Sequence, residues 1–555
     1  MKSEHKTRLK ELISSGVFLT KKESLMVTAA GKELDWLFDF RTLFFSAEGL
    51  NLAAEVFWDT FEHEYPFQVA GLESAALPIV AAIMMKGHER GTPVSGFFIR
   101  KSRNKANRLR MIEGNPSKEK TILVDDLINS GSSFLRQMKV LKEAEVPLFA
   151  LFAYVRFRDL SYYRFADEAG VQVVSTFTVE DFGKPLVVDK DRSLPSDIFK
   201  EIWGVKIENP NYFHVLPKSA PVLDEASVYF GSDSGVFWSL SQKDGSVNWK
   251  YTILSPKKAD KNIFSSPALY KNRVYFGAYD GNMYALDTKT GRRLWIFMEA
   301  DWIGSSPVVA EDLNLIFVGL EFGLLFKNGG MVALDAKTGK KKWEVRFPGL
   351  THGSPAYSKE LGIVIIGSND YGVYAFEAKS GKLLWSTFVQ GEVKASFTFD
   401  PKRGYVCFGS FDQNIYAYEA RTGKIVFRHF LDGPVYSTPL IYKSKLYVSS
   451  LDKHVYCFNL DTFDHEWKFE TKGRVFSSPI EAEGKVYIGS NDGKLYEINP
   501  DTGVSSGFFQ ATERIVNRAV YNKKTKLFFV PTFANELYCL ERKIEVQNET
   551  LQKNS

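Results

Sequence analysis

Residues 120–134 read K-T-I-L-V-D-D-L-I-N-S-G-S-S-F. An apolar run comes first, two adjacent carboxylates follow, and small amide and hydroxyl residues then open onto a helical pattern. Residues 121–124 suit a buried parallel strand. The turn of Asn129, Ser130, Gly131, Ser132 and Ser133 can aim backbone N–H groups and hydroxyls at a phosphate near a helix start. Asp125 and Asp126, read as exposed loop carboxylates, would then accept hydrogen bonds from the hydroxyls of a ribose carrying that phosphate. The same residue types favour turns for local backbone reasons, so a plain strand-to-helix loop is the competing reading.

Two further groups lie upstream. Residues 71–78, G-L-E-S-A-A-L-P, follow a short apolar run and start a helical pattern, so that Glu73 and Ser74 would sit in a strand-to-helix turn able to touch an anion through its backbone. Residues 97–107, F-F-I-R-K-S-R-N-K-A-N, put Arg100, Lys101, Arg103 and Lys105 at and beyond a strand end. Such cations can neutralise a pyrophosphate leaving group. A solvated basic loop or a nucleic-acid patch is the alternative for this stretch.

In this order the three segments resemble the type I phosphoribosyltransferases, and among them the orotate phosphoribosyltransferases. The resemblance implies a parallel-sheet α/β domain that transfers phosphoribose from phosphoribosyl pyrophosphate to a nucleobase. It assigns the ribose hydroxyls to Asp125 and Asp126, the 5′-phosphate to residues 129–133, and pyrophosphate to Glu73, Ser74, Arg100 and Lys101. Mg²⁺ would arrive with the substrate rather than be held directly by the protein, with Asp125 the candidate if the chain contributes a ligand. Lys21 and Arg156 fall where the family contacts the base, and both also suit ordinary surface cations. Asp39-Phe40-Arg41 is similar to a family strand and is read as structural. The family's basic loop reaches the neighbouring subunit, which implies a homodimer. This loop also departs: where the family has a further Lys and then His or Tyr before Gly, Asn104, Ala106 and Asn107 stand here. That departure opens a second reading, a non-catalytic domain that senses phosphoribosyl pyrophosphate or a nucleotide.

The elements that must position these residues fall into two grammars. Up to about residue 205, helical patterns (50–61, 75–85, 134–144) alternate with short apolar runs (67–70, 96–100, 121–124, 147–155), which predicts α/β with a largely parallel sheet. Ligand sites in such sheets lie at strand C-terminal ends. Beyond about residue 217 short strands recur. V-Y-F-G-S-D-S-G at Val228, V-Y-F-G-A-Y-D-G at Val274 and V-Y-I-G-S-N-D-G at Val486 are examples. Aligning Gly231, Gly277, Gly319, Gly367, Gly409 and Gly489 with Ser449 and Pro531 gives eight units of roughly 40–48 residues.

A second motif follows within units: A-L-D-T-K-T-G-R-R-L-W ending at Trp295, A-L-D-A-K-T-G-K-K-K-W at Trp343 and A-F-E-A-K-S-G-K-L-L-W at Trp385. It resembles the tryptophan-docking repeat of PQQ-like, quinoprotein-type β-propellers. Physically, the Asp and Thr-Gly would form a tight turn between third and fourth strands, and the Trp would pack flat between blades. The pattern decays at Phe427 and is absent around Gly507. The eighth unit loses it after Leu540, so its outer strand is expected from the segment before Pro217, with residues 205–215 the candidates. Seven blades plus an irregular hairpin is the alternative. The resulting division is 1–205 for the phosphoribosyltransferase-like domain, 206–217 for a linker or closing strand, 218–546 for the propeller and 547–555 for a polar tail. Quinone dehydrogenases of this superfamily use an adjacent cysteine pair, absent here, so no quinone cofactor is expected and the propeller is read as a module for a protein partner or a ligand.

Composition agrees with this. The chain has 555 residues, 44% hydrophobic and 25% charged, with net charge +5, too long for one core and too weakly basic for a dedicated nucleic-acid binder. Residues 1–16 are charged throughout and lack the apolar core of a secretory signal, and the longest apolar stretch, 75–85, is interrupted by Pro78 and too short to cross a bilayer. Cys407, Cys457 and Cys539 are isolated in strand-like runs. The expectation is a cytoplasmic protein without membrane contact.

Overall fold

The computed structural model describes residues 2–20, 35–74, 76–100, 111–187, 198–207, 219–254, 262–323 and 327–543. The chain divides into two units, Met1–Ser196 and Asp197–Ser555.

In the first unit a six-stranded sheet runs, from one edge to the other, Ile112–Glu113, Gly96–Ile99, Gln68–Leu72, Thr121–Ile128, Leu148–Arg156 and Gln172–Thr178. Only the edge strand Ile112–Glu113 is antiparallel. Alternation over Ile122–Val124, broken before Ile128, sends side chains of Thr121–Ile128 into two cores. Ile122 and Val124 join the helices Ala47–Phe61 and Leu77–Glu89, whereas Leu123 and Ile128 meet Phe134 and Leu141 of the helix Ser132–Glu143. Buried on both faces, the strand reads as a continuous apolar run rather than an alternating one.

The second unit is a propeller of eight four-stranded antiparallel sheets. Seven are continuous in the chain. The eighth combines three strands near the C-terminal end, Val520–Asn522, Leu527–Pro531 and Glu536–Arg542, with Phe199–Lys206 from before the first blade. The closing strand therefore starts earlier than the expected 205–215, and the propeller begins before residue 205. The seven-bladed alternative is excluded.

Two close contacts explain the repeat. Gly231, Gly277, Gly367, Gly409 and Gly489 end second strands where an added Cβ would lie 2.0–2.3 Å from Ile263, Ile303, Val393, Val435 and Ile515. In addition, Trp249, Trp295, Trp343, Trp385 and Trp467 each lie flat on the turn glycine of the next blade, Gly291, Gly339, Gly381, Gly423 and Gly503, where a Cβ would come within 2.6 Å of the indole. Each of these glycines has φ near +70°. The indole N–H of each donates to a backbone carbonyl just before that turn, at 2.8–3.2 Å.

Both breaks in the pattern have structural causes. At Phe427 the partner turn carries Phe463 in place of glycine, at φ +62°, and the two rings stack 4.7 Å apart at 10°. The pair has changed together. Phe427→Trp alone is therefore expected to destabilise the propeller, because an indole needs a bare glycine beneath it, and Phe463→Gly added to it should recover the loss. A double-mutant cycle read by denaturant unfolding should give a coupling of about 1–3 kcal/mol. At Gly507 no turn exists to receive an indole, because third and fourth strands of blade 8 come from opposite ends of the propeller; Ile198 fills that space, 2.4 Å from a Cβ added at Gly507. Trp203, on the closing strand, is the docking tryptophan of blade 8. It lies on Gly245 of blade 1 and donates to Gln242 O at 3.0 Å.

Candidate functional site

The site is built where strands of the first unit end. Thr121–Ile128 pairs on one side with Gln68–Leu72 only through Leu123, while on the other it stays paired with Leu148–Arg156 to Ile128. Past Leu123 the sheet splits, making the crevice in which ligands of open α/β sheets bind. Asp125 and Asp126 sit on that split edge. They are strand residues rather than the exposed loop carboxylates expected, because pairing with Ala153 and Val155 carries the ladder through them.

Asp125 is 8% exposed. Its Oδ1 accepts the Asp126 N–H at 3.0 Å and its Oδ2 accepts the Ser133 hydroxyl at 3.3 Å. Burial, with the Asp126 charge beside it, pushes the Asp125 carboxyl up to about 8. Asp126 is raised as well, mainly by burial, although its Oδ1 accepts the Leu127 N–H at 2.8 Å. Asp39 and Arg41 lie within electrostatic reach of Asp126 and hold each other in a two-point ion pair of 2.8 and 2.9 Å. The Asp39-Phe40-Arg41 segment thus borders the acid pair.

A stability prediction follows from Asp125. Its folded-state pKa lies above the unfolded value near 4, so the folded unit holds the extra proton, and stability falls as pH rises from about 4 to about 8. Asp125→Asn should remove that slope and stabilise the ligand-free protein by roughly 2–4 kcal/mol at pH 8. Melting of the N-terminal unit at pH 5 and pH 8 checks this.

The 129–133 loop has a firm back. Gly131 takes φ +70° as N-cap of Ser132–Glu143 and packs against Phe165. The Tyr163 hydroxyl donates to Ile128 O at 3.2 Å and Asn129 O at 3.0 Å, and Arg158 Nε donates to Asn129 Oδ1 at 2.9 Å while its guanidinium lies over Tyr162. Sequence reading missed Arg158 and Tyr163; the R-x-R spacing at 156–158 was the available signal. Arg156 ends its strand with Nε donating to Ser175 Oγ at 3.3 Å and Nη1 bonded to Arg158 O.

Across the crevice, an added Cβ on Gly71 would lie 2.7 Å from Val124 O, so the 71–78 turn presses against the strand just before the acids. The Glu73–Ser74 peptide is cis, and the Glu73 N–H donates to Ile99 O at 2.9 Å. Arg100 approaches Glu73 at 3.5 Å and Glu113 at 3.6 Å. Strand ends thus bring Glu73, Arg100, Asp125, Asp126 and the loop of Asn129, Ser130, Gly131 and Ser133 to one edge. Lys21, Lys101, Arg103 and Lys105 lie outside the described residues. Among the described residues no cluster of three or more His, Cys, Asp or Glu could hold a metal, and no helix is long and apolar enough to cross a membrane.

The class these features define is a phosphoribosyltransferase-type α/β domain followed by an eight-bladed PQQ-like propeller. The family model described as outer membrane protein assembly factor BamB matches residues 200–358, 300–398 and 369–507. The chain belongs to that PQQ-like repeat family through its second unit. Its N-terminal part is orotate-phosphoribosyltransferase-like. It is 28% identical over 159 residues to the orotate phosphoribosyltransferase of Bradyrhizobium sp. (strain BTAi1), covering 28% of this chain and 84% of that one. Against the Pyrococcus horikoshii orotate phosphoribosyltransferase it is 26% identical over 171 residues, 30% of this chain and 88% of that one. Among solved structures, BamB from Moraxella catarrhalis superposes with TM-score 0.50 at 16% identity, covering 62% of this chain and 97% of its own. A quinohemoprotein alcohol dehydrogenase from Comamonas testosteroni gives TM-score 0.52 at 12% identity over 64% and 78%. At these identities both share the fold alone.

Proposed function

We propose that the first unit transfers phosphoribose from phosphoribosyl pyrophosphate to a nucleobase, in the manner of an orotate phosphoribosyltransferase. The observation that carries this reading is the split edge, where an acid pair, Asp125 buried and Asp126 half-buried, lies beside a pyrophosphate-type turn and abuts a phosphate-type loop. The acid pair has the chemistry for a ribose diol that arrives with a cation, since two adjacent carboxylates, both with pKa raised by desolvation, are relieved by donors and positive charge. Mg²⁺ bound to the substrate supplies neutralisation of pyrophosphate charge. Asp125 and Asp126 orient the ribose, residues 129–133 anchor its 5′-phosphate, and Glu73, Ser74, Arg100 and Lys101 surround pyrophosphate, with Arg103 and Lys105 supporting them from the basic loop. The base nitrogen attacks C1′ as the C1′–O bond to pyrophosphate breaks, so the chain contributes positioning and charge stabilisation. Lys21 and Arg156 are the base-contact candidates, and the unit works as a homodimer.

The departures at Asn104, Ala106 and Asn107 favour a second reading: a domain that binds the sugar phosphate without turnover and signals through the propeller to a protein partner. The propeller is read as a binding module without a quinone. Cys407, Cys457 and Cys539 lie buried in three different blades, their thiols pushed up to about 12 by burial. One assay separates the readings. Purified protein is incubated with phosphoribosyl pyrophosphate, Mg²⁺ and a panel of nucleobases, and pyrophosphate release is followed. Release with one base is expected; tight binding without release from any base selects the sensor.

A further inference from the structure

The central channel of the propeller presents donors that lack acceptors. Blades 2–7 enter their innermost strands through a small hydroxyl residue, Ser266, Ser306, Ser354, Ser396, Thr438 and Ser478, and all six line one cavity of about 900 Å³. The backbone N–H groups of Ala220, Ser266, Ser306 and Thr438 donate at 2.9 Å to the Oγ atoms of Ser266, Ser306, Ser354 and Ser478, each on the next blade. A hydroxyl that accepts from the backbone keeps its own proton to donate. For those four serines no acceptor of that proton is found among the described residues.

Blade 8 breaks the series with Arg518, which stands where a hydroxyl would. Its backbone N–H donates to Asn517 Oδ1 at 2.8 Å. Its side chain lines the cavity, is exposed to it, and makes no hydrogen bond or ion pair among the described residues. Two other charges on the wall are matched, Lys394 lying 2.5 Å from Glu392 and His352 3.1 Å from Glu321, while Lys523 adds a second cation to the lining. Of the lining carboxylates, Glu481 accepts the Gly484 N–H at 2.9 Å and Glu360 the Ser358 hydroxyl at 3.2 Å. The Arg518 cation thus stands at the cavity wall without a counter-charge among the described residues.

We infer that the channel is a binding site for the oxyanion of a small molecule, a phosphate or a carboxylate, held by the Arg518 guanidinium and the serine hydroxyls around it. A guanidinium offers five N–H donors in a planar fork that matches two oxygens of either group, and the serine hydroxyls that line the same cavity are donors for further oxygens.

Calorimetric titration of the full chain with inorganic phosphate, and separately with citrate, tests the assignment and distinguishes the two sources. One of the anions should bind, about tenfold or more weaker to Arg518→Gln, with affinity partly restored in Arg518→Lys, which keeps the charge but not the fork. Ser133→Ala, in the N-terminal loop, should leave the Arg518-dependent part of this binding unchanged. Pyrophosphate release by the N-terminal unit should not respond to Arg518→Gln, so failure here is separable from failure of the transferase reading. Absence of binding by both anions at millimolar concentration overturns the proposal. So does equal affinity in the wild-type protein and Arg518→Gln.

Discussion

Asp125→Asn combined with Asp126→Asn should weaken phosphoribosyl pyrophosphate binding by about a hundredfold or more, since each hydrogen bond to a charged acceptor contributes roughly 1.5–3 kcal/mol and two carboxylates are removed. The same change should leave the fold intact and the ligand-free unit more stable, because both carboxyls have raised pKa and Asp125 has no ion-pair partner among the described residues. Loss of binding with gain of stability is the signature of residues kept for function rather than packing. Calorimetry for the ligand and melting for the fold read the two effects separately. Undiminished binding would place the sugar-phosphate site elsewhere. Binding by the wild-type protein should also release a proton near neutral pH, since ribose hydroxyls need the charged form of Asp125, and affinity should fall as pH drops below about 8.

The second large effect concerns ring closure. A chain beginning at residue 207 should fail to form a monomeric propeller, whereas one beginning at residue 197 should form it. Phe199–Lys206 pairs with Glu536–Arg542 along its length, Trp203 caps the blade 1 turn, and Ile198 and Phe199 are buried among Tyr487, Phe509 and Phe528. Without them the last blade exposes an apolar edge strand, a template for association with another chain. Size-exclusion chromatography with light scattering should show aggregates or oligomers for the shorter chain. A stable monomer of the shorter chain would show that closure by this strand is dispensable.

Legibility in the sequence followed how local each signal was. The order of strand, acid pair and small-residue loop at 120–134 pointed to the crevice, because turn chemistry and apolar runs are written in neighbouring residues. The length of the strand was not visible, since two consecutive carboxylates look like a strand end; only pairing with Leu148–Arg156 carries them into the ladder. Arg158 and Tyr163 escaped notice because they act on Asn129 from behind, across a separation no local pattern records. In the propeller the Trp motif revealed the blades by repetition. Trp203 was missed although K-E-I-W at 200–203 has the spacing of K-L-L-W at 382–385, because it stands apart from the other repeats, and its Gly245 partner belongs to the first of them.

The eighth blade also sets an order of events during synthesis. Phe199–Lys206 emerges before any blade, yet its ladder partner among the described residues is Glu536–Arg542. At about 5–20 residues per second, the ribosome needs on the order of half a minute to deliver that partner. Throughout this interval the ring is an open arc with a waiting strand at one end. Of the residues that meet in the final fold, Lys200, Glu201 and Lys206 are charged and exposed on this strand, which suits a segment that must stay unpaired in a crowded cell until its partner arrives.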